Sequence, residues 1–517
     1  MAALATQGRP RSTKPEEVLF REGDRDCDFF VVVAGRVASV EGYGTPEQRV
    51  IAVHGRGRFL GELSLLTGEG CYYSAVALDA GQVIALPVDR LRELVAGDPA
   101  LGDLVLRAYL LRRSILIGLG AGLRIIGSRY SPDARRVRDF AARNRVPYRW
   151  LDLEADPSAE AVLAKFGLAP QDTPLVIVHG RLLRKPGNAE LAAAVGLPAP
   201  GPAPAGYDLL VVGAGPAGLS AAVYGASEGL QVIVLDGTAT GGQAGTSSRI
   251  ENYLGFPSGI SGAELADRAF LQARKFGARF AVPAEATAIE QDDGHYRVHL
   301  GDGGSLTAAS VVIATGVRYR RLAVPRADYL ERMSIYYAAT QAEALLCSGD
   351  PVAIVGGGNS AGQAAVLLSR YAAEVALIVR EHDLNEHMSR YLIDQITRIA
   401  NVRVLTGAEI RELHGDQGLE AVTVTGPAHT RRTLKARALF VFIGITPCTD
   451  WLSGLVELDD QGFVRTGSGP GCSLLESSRP GIFAAGDVRS GSVKRVATAV
   501  GEGAMAIRLV FEKTRPA

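Results

Sequence analysis

The residues with the clearest chemical task are Gly213, Gly215 and Gly218, spaced as G-x-G-x-x-G around Pro216 and Ala217, and Asp236, 23 residues after the first glycine. The first glycine permits a tight turn, the second lets backbone approach a pyrophosphate, and the third lets a helix lie close on a strand. A helix opening there offers unpaired N–H groups and partial positive charge to phosphates. A carboxylate at the position of Asp236 suits ribose hydroxyls. A second set, Gly356, Gly358 and Ala361 with Asn359 and Ser360 between them, repeats the spacing as G-x-G-x-x-A. Here Arg380, 24 residues after Gly356, stands where the acid would be. An arginine suits the 2′-phosphate of NADPH, so the pair of motifs places FAD in the first site and NADPH in the second. Glu381 beside Arg380 works against a phosphate, and Arg390 adds a second cation.

Both motifs need a strand before and a helix after. Leu209 to Val212 and Val352 to Val355 are short apolar runs of the first kind, and an Ala-rich segment follows each turn. Val232 to Leu235 is a further apolar strand ending on Asp236. After the second motif the first unit resumes. Phe440 to Pro447 reads as a return strand, Gly481 to Asp487 as a strand ending in Gly486-Asp487, and RVATAVGEGAMAIRLV as a final helix. The expectation is two Rossmann-like three-layer α/β domains, one inserted in the other: residues 207–325 with 445–517 for FAD, and 326–444 for NADPH.

The 517 residues leave room for more, at ~150 residues per domain. Residues 12–120 read as short strands punctuated by Gly23, Gly35, Gly42 and Gly44, then a helix from about Pro99 to Ile117. Residues 122–198 follow a β-α-β-α-β-β-α order. Residues 199–206 close a Pro-rich stretch without periodicity, a stiff spacer. Lys+Arg 55 against Asp+Glu 55 gives no net charge, which argues against nucleic-acid and anionic-membrane partners. The apolar run Leu104 to Leu123 is broken by Arg107, Arg112 and Arg113, and the N-terminus lacks the apolar core of a signal peptide. A soluble, cytoplasmic protein is expected. The five cysteines, Cys27, Cys71, Cys347, Cys448 and Cys472, include no C-x-x-C and no metal-like cluster.

The first segment resembles the cyclic-nucleotide-binding domain family, on Glu22-Gly23-Asp24, the strand before Ala34-Gly35, and Gly61-Glu62-Leu63-Ser64 as the phosphate cassette. The resemblance implies a β-roll with helices, a cyclic nucleotide as ligand class, and Glu62 on the ribose 2′-hydroxyl. The family's arginine before a Ser/Thr-Ala pair is missing: Ser74-Ala75 follow Tyr72 and Tyr73, which removes a charge-assisted phosphate contact. Arg56 and Arg58 are the nearby substitutes. The second segment resembles the thioredoxin and glutaredoxin fold, with Thr173-Pro174 at the family's cis-proline position. Where that family carries C-P-x-C, this chain reads Ser131-Pro132-Asp133-Ala134, so the module is expected to be a redox-inactive adaptor.

From Tyr207 onward the chain resembles the low-molecular-weight thioredoxin reductase family. GAGPAGLSAA, Gly241-Gly242-Gln243, Ile250 to Pro257, Ile313 to Gly316, GGGNSA and FAAGDV all occur in that family's order. The resemblance implies that Gly213 to Gly218, Asp236, Gly242, Gln243, Asn252, Thr315 and Gly316 hold FAD, that Gly486 and Asp487 close over the ribityl chain, and that Arg495, Val496 and Ala497 lie along the flavin edge. Gly356 to Ala361 and Arg380 would hold NADPH, and a homodimer is implied. The family's dithiol falls at Ala338 and Gln341 of Tyr337-Ala338-Ala339-Thr340-Gln341, so both thiols are missing. Cys347, six residues on, reads as a buried small apolar residue. Three functions stay open: an oxidoreductase passing hydride from NADPH to FAD and on to another acceptor such as a small redox protein; a redox or nucleotide sensor; and a thioredoxin-disulfide reductase with a displaced thiol.

Overall fold

The computed structural model describes residues 7–514 apart from 25–26, 62–69, 198–205, 248–249, 251, 293, 332, 338, 340, 417 and 469–472. Glu62, Leu63 and Ser64 of the cassette, most of the Pro-rich spacer, and Ala338 therefore lie outside the described residues. The expected multidomain arrangement is present. Two four-stranded antiparallel sheets form the first module. One has the order Arg9–Thr13, Gly81–Leu86, Phe29–Ala34, Phe59–Leu60, and the other Val18–Phe20, Ser74–Ala77, Val37–Glu41, Arg49–His54. Helices Val88–Gly97 and Pro99–Leu119 follow. The longer one starts where the Asp98 side chain accepts from the Ala100 and Leu101 N–H groups, and ends at Gly120 in the left-handed region.

The second module is one sheet in the order Tyr148–Asp152, Leu123–Gly127, Leu175–Val178, Arg181–Arg184. Its first two strands are parallel and the rest antiparallel. The Thr173–Pro174 peptide is cis. Ser131 caps the helix Pro132–Arg143, its hydroxyl accepting from the Ala134 N–H at 3.3 Å, and Ala134 is buried. Ser131 and Ala134, where the resemblance implies thiols, are thus a helix cap and a core methyl.

These two modules share one core. Phe20, Phe30, Cys27, Cys71 and Tyr73 of the roll, Tyr109 and Leu116 of the long helix, and Ile125, Val137 and Phe140 of the second sheet form a continuous buried cluster. Leu271, with Phe270 packed against it, joins the cluster from the helix Gly262–Lys275, which is part of the next unit. Arg113 is buried in the long helix and donates to the Tyr109 hydroxyl and to the carbonyls of Asn144 and Arg145. The guanidinium thereby satisfies a helix end of the neighbouring module.

Strand Tyr207–Val212 lies between Val232–Leu235 and Ser305–Ile313, all parallel, in a seven-stranded sheet that also takes in Ile482–Ala484. Pro351–Val355 is central in a five-stranded parallel sheet with Ala438–Val441 on one side and Glu374–Ile378 on the other. Phe440 to Pro447 is not a single return strand. Ala438–Val441 belongs to the five-stranded sheet, the chain turns at Gly444 with φ +107°, and Ile445–Pro447 pairs antiparallel with Val317–Tyr319. That short ribbon carries the chain out of the first dinucleotide unit and back into it. Among the described residues no helix is long and apolar enough to cross a membrane.

Candidate functional site: two dinucleotide turns and an aromatic pair

The first glycine turn is locked by backbone. A Cβ on Gly213 would lie 2.3 Å from the Ala314 carbonyl oxygen, and one on Gly218 would lie 1.8 Å from the Gly213 carbonyl oxygen. Neither position admits a side chain. Gly213 has φ +108° and its N–H donates to the Leu235 carbonyl at 2.7 Å. Gly215 is the N-cap of the helix Pro216–Ser227 and supplies no side-chain cap, so the helix opens with bare N–H groups. Gly242 comes in from the neighbouring loop so closely that a Cβ on it would lie 3.0 Å from the Gly215 Cα. Gln243 Nε2 donates to the Val317 carbonyl at 3.2 Å, fixing that loop to the exit ribbon.

Asp236 organises the turn's far side. One carboxylate oxygen accepts from the Ala214 N–H at 2.9 Å, the other from the Thr238 and Ala239 N–H groups at 2.9 and 3.0 Å. A negative charge is thereby held at the end of strand Val232–Leu235, where ribose hydroxyls can be met. One cleft is lined by Gly213, Gly215, Pro216, Ala217, Asp236, Gly242, Gln243, Thr315, Gly316, Gly486, Asp487, Arg495 and Val496. Two residues expected there differ. Asn252 is exposed and does not line the cleft, and Ala499, one helical turn beyond Val496, faces it rather than Ala497. Gly218 is buried beneath the turn, where it supports rather than lines it.

The cleft's polar end is built by the last helix, Val496–Thr514. Glu502 accepts from the Gly486 N–H at 2.7 Å and from Arg489 at 2.5 Å. That fixes the Gly486-Asp487 turn on the helix. Burial pushes the Asp487 carboxyl above the usual carboxylate range, against the pull of Lys494. Lys494, which the sequence reading missed, lines the cleft, donates to the Asp487 carbonyl at 2.6 Å, and sits 4.4 Å from the centre of the Phe463 ring. Burial holds its ammonium below the usual lysine range.

The second turn is built on the same plan. Gly356 has φ +143°, and a Cβ there would lie 2.3 Å from the Phe442 carbonyl oxygen. Gly358 opens the helix Asn359–Leu368 without a side-chain cap, the Asn359 side chain accepting instead from the Ser389 N–H at 2.7 Å. Ala361 is buried against the sheet. Ser360 is exposed on the helix's first turn. The Arg380 side chain is exposed and pairs with Glu381 at 3.1 Å, while Arg390 pairs with Asp394 at 3.2 Å. Glu381 is turned inward, within 2.7 Å of a Cβ built on Gly357. The second site therefore presents both an acid against the turn and a guanidinium outside it.

Where the first cleft meets the inserted unit stands an aromatic pair that the sequence reading did not single out. Tyr319 ends the exit strand and lines the first cleft. Tyr337 belongs to the inserted unit and is the residue before Ala338. Their rings stack at 6.0 Å and 19°. The Tyr337 hydroxyl donates to Glu331 at 2.5 Å, and Glu331 is 3.4 Å from Arg321. Burial and the Glu331 carboxylate push the Tyr337 hydroxyl well above the usual tyrosine range. Gln341 starts the helix Gln341–Leu346. Cys347, just past it, is buried, and burial pushes its thiol up to about 11. A thiol so shifted is not a nucleophile at neutral pH.

In the first module, Tyr72 and Tyr73 occupy the positions preceding Ser74. Both rings are buried, Tyr73 against Phe20 at 5.7 Å. Ser74 Oγ accepts from the Glu22 N–H at 3.0 Å. Where the resemblance calls for a phosphate-binding arginine, this chain has core aromatics.

Two dinucleotide turns, one unit inserted into the other and a shared ribbon define the architecture. The pattern of the family described as pyridine nucleotide-disulphide oxidoreductase matches residues 207–503. The chain belongs to that family. Its fold serves FAD and a pyridine nucleotide, and the glycine cradles above fit both groups. The cyclic nucleotide-binding domain pattern matches residues 10–98 of this pyridine nucleotide-disulphide oxidoreductase. Similar curated proteins include the "34.2 kDa protein in rubredoxin operon" of Clostridium pasteurianum, 33% identical over 59% of this chain and 96% of its own length. The thioredoxin reductase of Mycoplasmopsis pulmonis is 31% identical over 60% of this chain and 98% of its own. The solved structure of a thioredoxin reductase from Streptococcus pyogenes covers 60% of this chain and 98% of its own, at 29% identity and a TM-score of 0.49.

Proposed function

We propose that the chain is an NADPH-dependent FAD oxidoreductase that delivers electrons to an acceptor without an internal dithiol. The observation that carries this reading is the Tyr319–Tyr337 stack, in which a residue lining the first cleft meets a residue of the inserted unit. A stacked aromatic pair can cover a flavin and exclude water but cannot exchange disulfides. FAD, when bound, accepts a hydride from the nicotinamide and releases its electrons onward. The chain's own residues position and insulate. The bare helix ends after Gly215 and Gly358 receive pyrophosphates. Asp236 orients a ribose, and Arg380 turns from Glu381 toward a 2′-phosphate. Lys494, bonded to the Asp487 carbonyl, and the Asp487 carboxyl stand together at the polar end of the cleft. The Tyr337 hydroxyl, held protonated, serves as a donor and not as a base.

The acceptor fits above the exposed edge of the cleft, and a small redox protein is the class favoured. An apolar cavity of about 330 Å³, lined by Leu219, Val223, Tyr224, Tyr253 and Phe276, lies beside it, and a homodimer is the assembly proposed. A displaced-thiol disulfide reductase is disfavoured by the buried, high-pKa Cys347. A sensing role for the N-terminal half gains support from one contact, Asn144 Nδ2 donating to the Thr238 carbonyl at 3.0 Å, beside Asp236.

The test is anaerobic rapid mixing of the FAD-loaded protein with NADPH, followed by the flavin's visible absorbance. Bleaching within seconds, followed by reoxidation with a one-electron acceptor but not with a protein disulfide, supports the reading. Stoichiometric reoxidation by a protein disulfide would overturn it, and an unbleached flavin would leave the sensing role ahead.

A further inference from the structure

Cys27 and Cys71 are 44 positions apart in the chain, yet their sulfurs are 3.0 Å apart in the buried core of the first module. That is about 1 Å longer than a covalent S–S bond of about 2.05 Å. The segments that carry them are already joined by backbone. The Gly23 N–H donates to the Cys71 carbonyl at 2.8 Å, and the Cys71 N–H donates to the Asp24 carbonyl at 2.9 Å. The turn is a surface one: Arg21 and Asp24 are exposed. It also touches the second module. Glu22 Oε1 is 3.5 Å from His179 Nδ1, and a Cβ on Gly23 would lie 3.3 Å from the His179 ring.

We propose that Cys27 and Cys71 are a reversible thiol–disulfide pair, closed by a hydroperoxide and opened by a dithiol. One sulfur attacks a peroxide oxygen; the O–O bond breaks, and a sulfenic acid and water result. The second sulfur attacks the first, the S–O bond breaks, and the departing hydroxide takes a proton to leave as water. Two thiols and one hydrogen peroxide thus give one disulfide and two waters. Each sulfur loses one electron and each peroxide oxygen gains one. Reopening consumes an external dithiol, which leaves as its own disulfide. Burial keeps bulky disulfides away and makes the first step wait on opening of the surface turn. Contact between the sulfurs makes the second step intramolecular, and it therefore outruns further oxidation. Closing the bond fixes the turn Glu22–Asp24 against Cys71. The turn faces His179 across a cavity of about 410 Å³ that also takes in Arg21, Ser74, Arg124 and Arg149, so the second module meets an altered wall. The inference stands apart from the flavin reading, since it needs no electron from either dinucleotide.

The experiment uses the full-length, FAD-loaded protein without NADPH. Equimolar hydrogen peroxide is added, thiols are counted after denaturation, and peptides are mapped without reductant. The five thiols of the chain are expected to fall to three, with one cross-linked peptide joining Cys27 and Cys71 that dithiothreitol resolves. Cys71→Ala is expected to retain its four remaining thiols or lose one as an uncross-linked acid. Five surviving thiols, over-oxidation at Cys27 or Cys71 alone, or a cross-link between other cysteines in the native protein overturns the proposal. The mapping of the native chain decides even if the variant does not fold.

Discussion

At the scale of single residues, the two ends of the inserted unit's nucleotide site pull in opposite directions. Glu381 faces the glycine turn, and Arg380 stands outside it on an exposed side chain. The guanidinium's side of their 3.1 Å pair is solvated, so a 2′-phosphate can recruit it from there. Arg380→Ala is expected to raise KM for NADPH about tenfold, the loss of one charge-assisted phosphate contact, and to leave KM for NADH unchanged. Steady-state kinetics with both nucleotides against an artificial acceptor read the difference. Equal effects on the two would move the phosphate contact elsewhere. The glycines and Asp236 were legible in the sequence because their task depends on local spacing. Tyr319, Tyr337, Lys494 and the Cys27–Cys71 contact were not. Each depends on which distant strand or loop lies alongside, and residue type alone carries no record of that.

At the scale of elements, the strand Arg49–His54 carries a concealed titration. His54 is buried, with Nε2 3.0 Å from Ser39 Oγ, and burial together with the nearby Arg112 and Arg58 charges lowers its pKa from 6.5 to about 4. The folded value lies below the unfolded one, so the unfolded chain takes the proton first as pH falls. The stability His54 contributes is intact above pH 6.5 and is lost between 6.5 and about 4. At pH 5 the loss is about 2 kcal/mol. His54→Gln is expected to flatten the pH dependence of the first module's thermal unfolding over that interval; an unchanged slope would place the titration in another group. Element boundaries were mostly readable. Strand Val232–Leu235 falls where the apolar run ending on Asp236 puts it. Phe440 to Pro447 misled because both of its halves are apolar. Only tertiary pairing, through the left-handed turn at Gly444, divides the segment between two sheets.

At the scale of the whole molecule, the N-terminal modules are fastened to the flavin unit by more than a tether. Arg145 pairs with Asp267 where both side chains are largely buried, at 20% and 14% exposure. Asn144 reaches the Thr238 carbonyl beside Asp236. Removing one partner leaves a buried charge, so Asp267→Ala is expected to cost roughly 3 kcal/mol of unfolding free energy. Double-mutant cycles with Arg145→Ala in urea measure the coupling, and a coupling near zero would mean that this ion pair adds nothing to the seam. The families of the flavin half and of the first segment were legible from motif. The seam between the modules was not, because nothing in the residue types of Phe270 and Leu271 records that the neighbouring module packs against them. That seam has a consequence for how the protein is made. The first two modules leave the ribosome with part of their core unfinished, since Leu271 lies 74 residues beyond Leu197. At roughly 5–20 residues per second the exposed face waits on the order of several seconds for its partner. A nascent chain stalled in that interval presents an apolar surface to the cell, and the pace of translation becomes part of how the fold is completed.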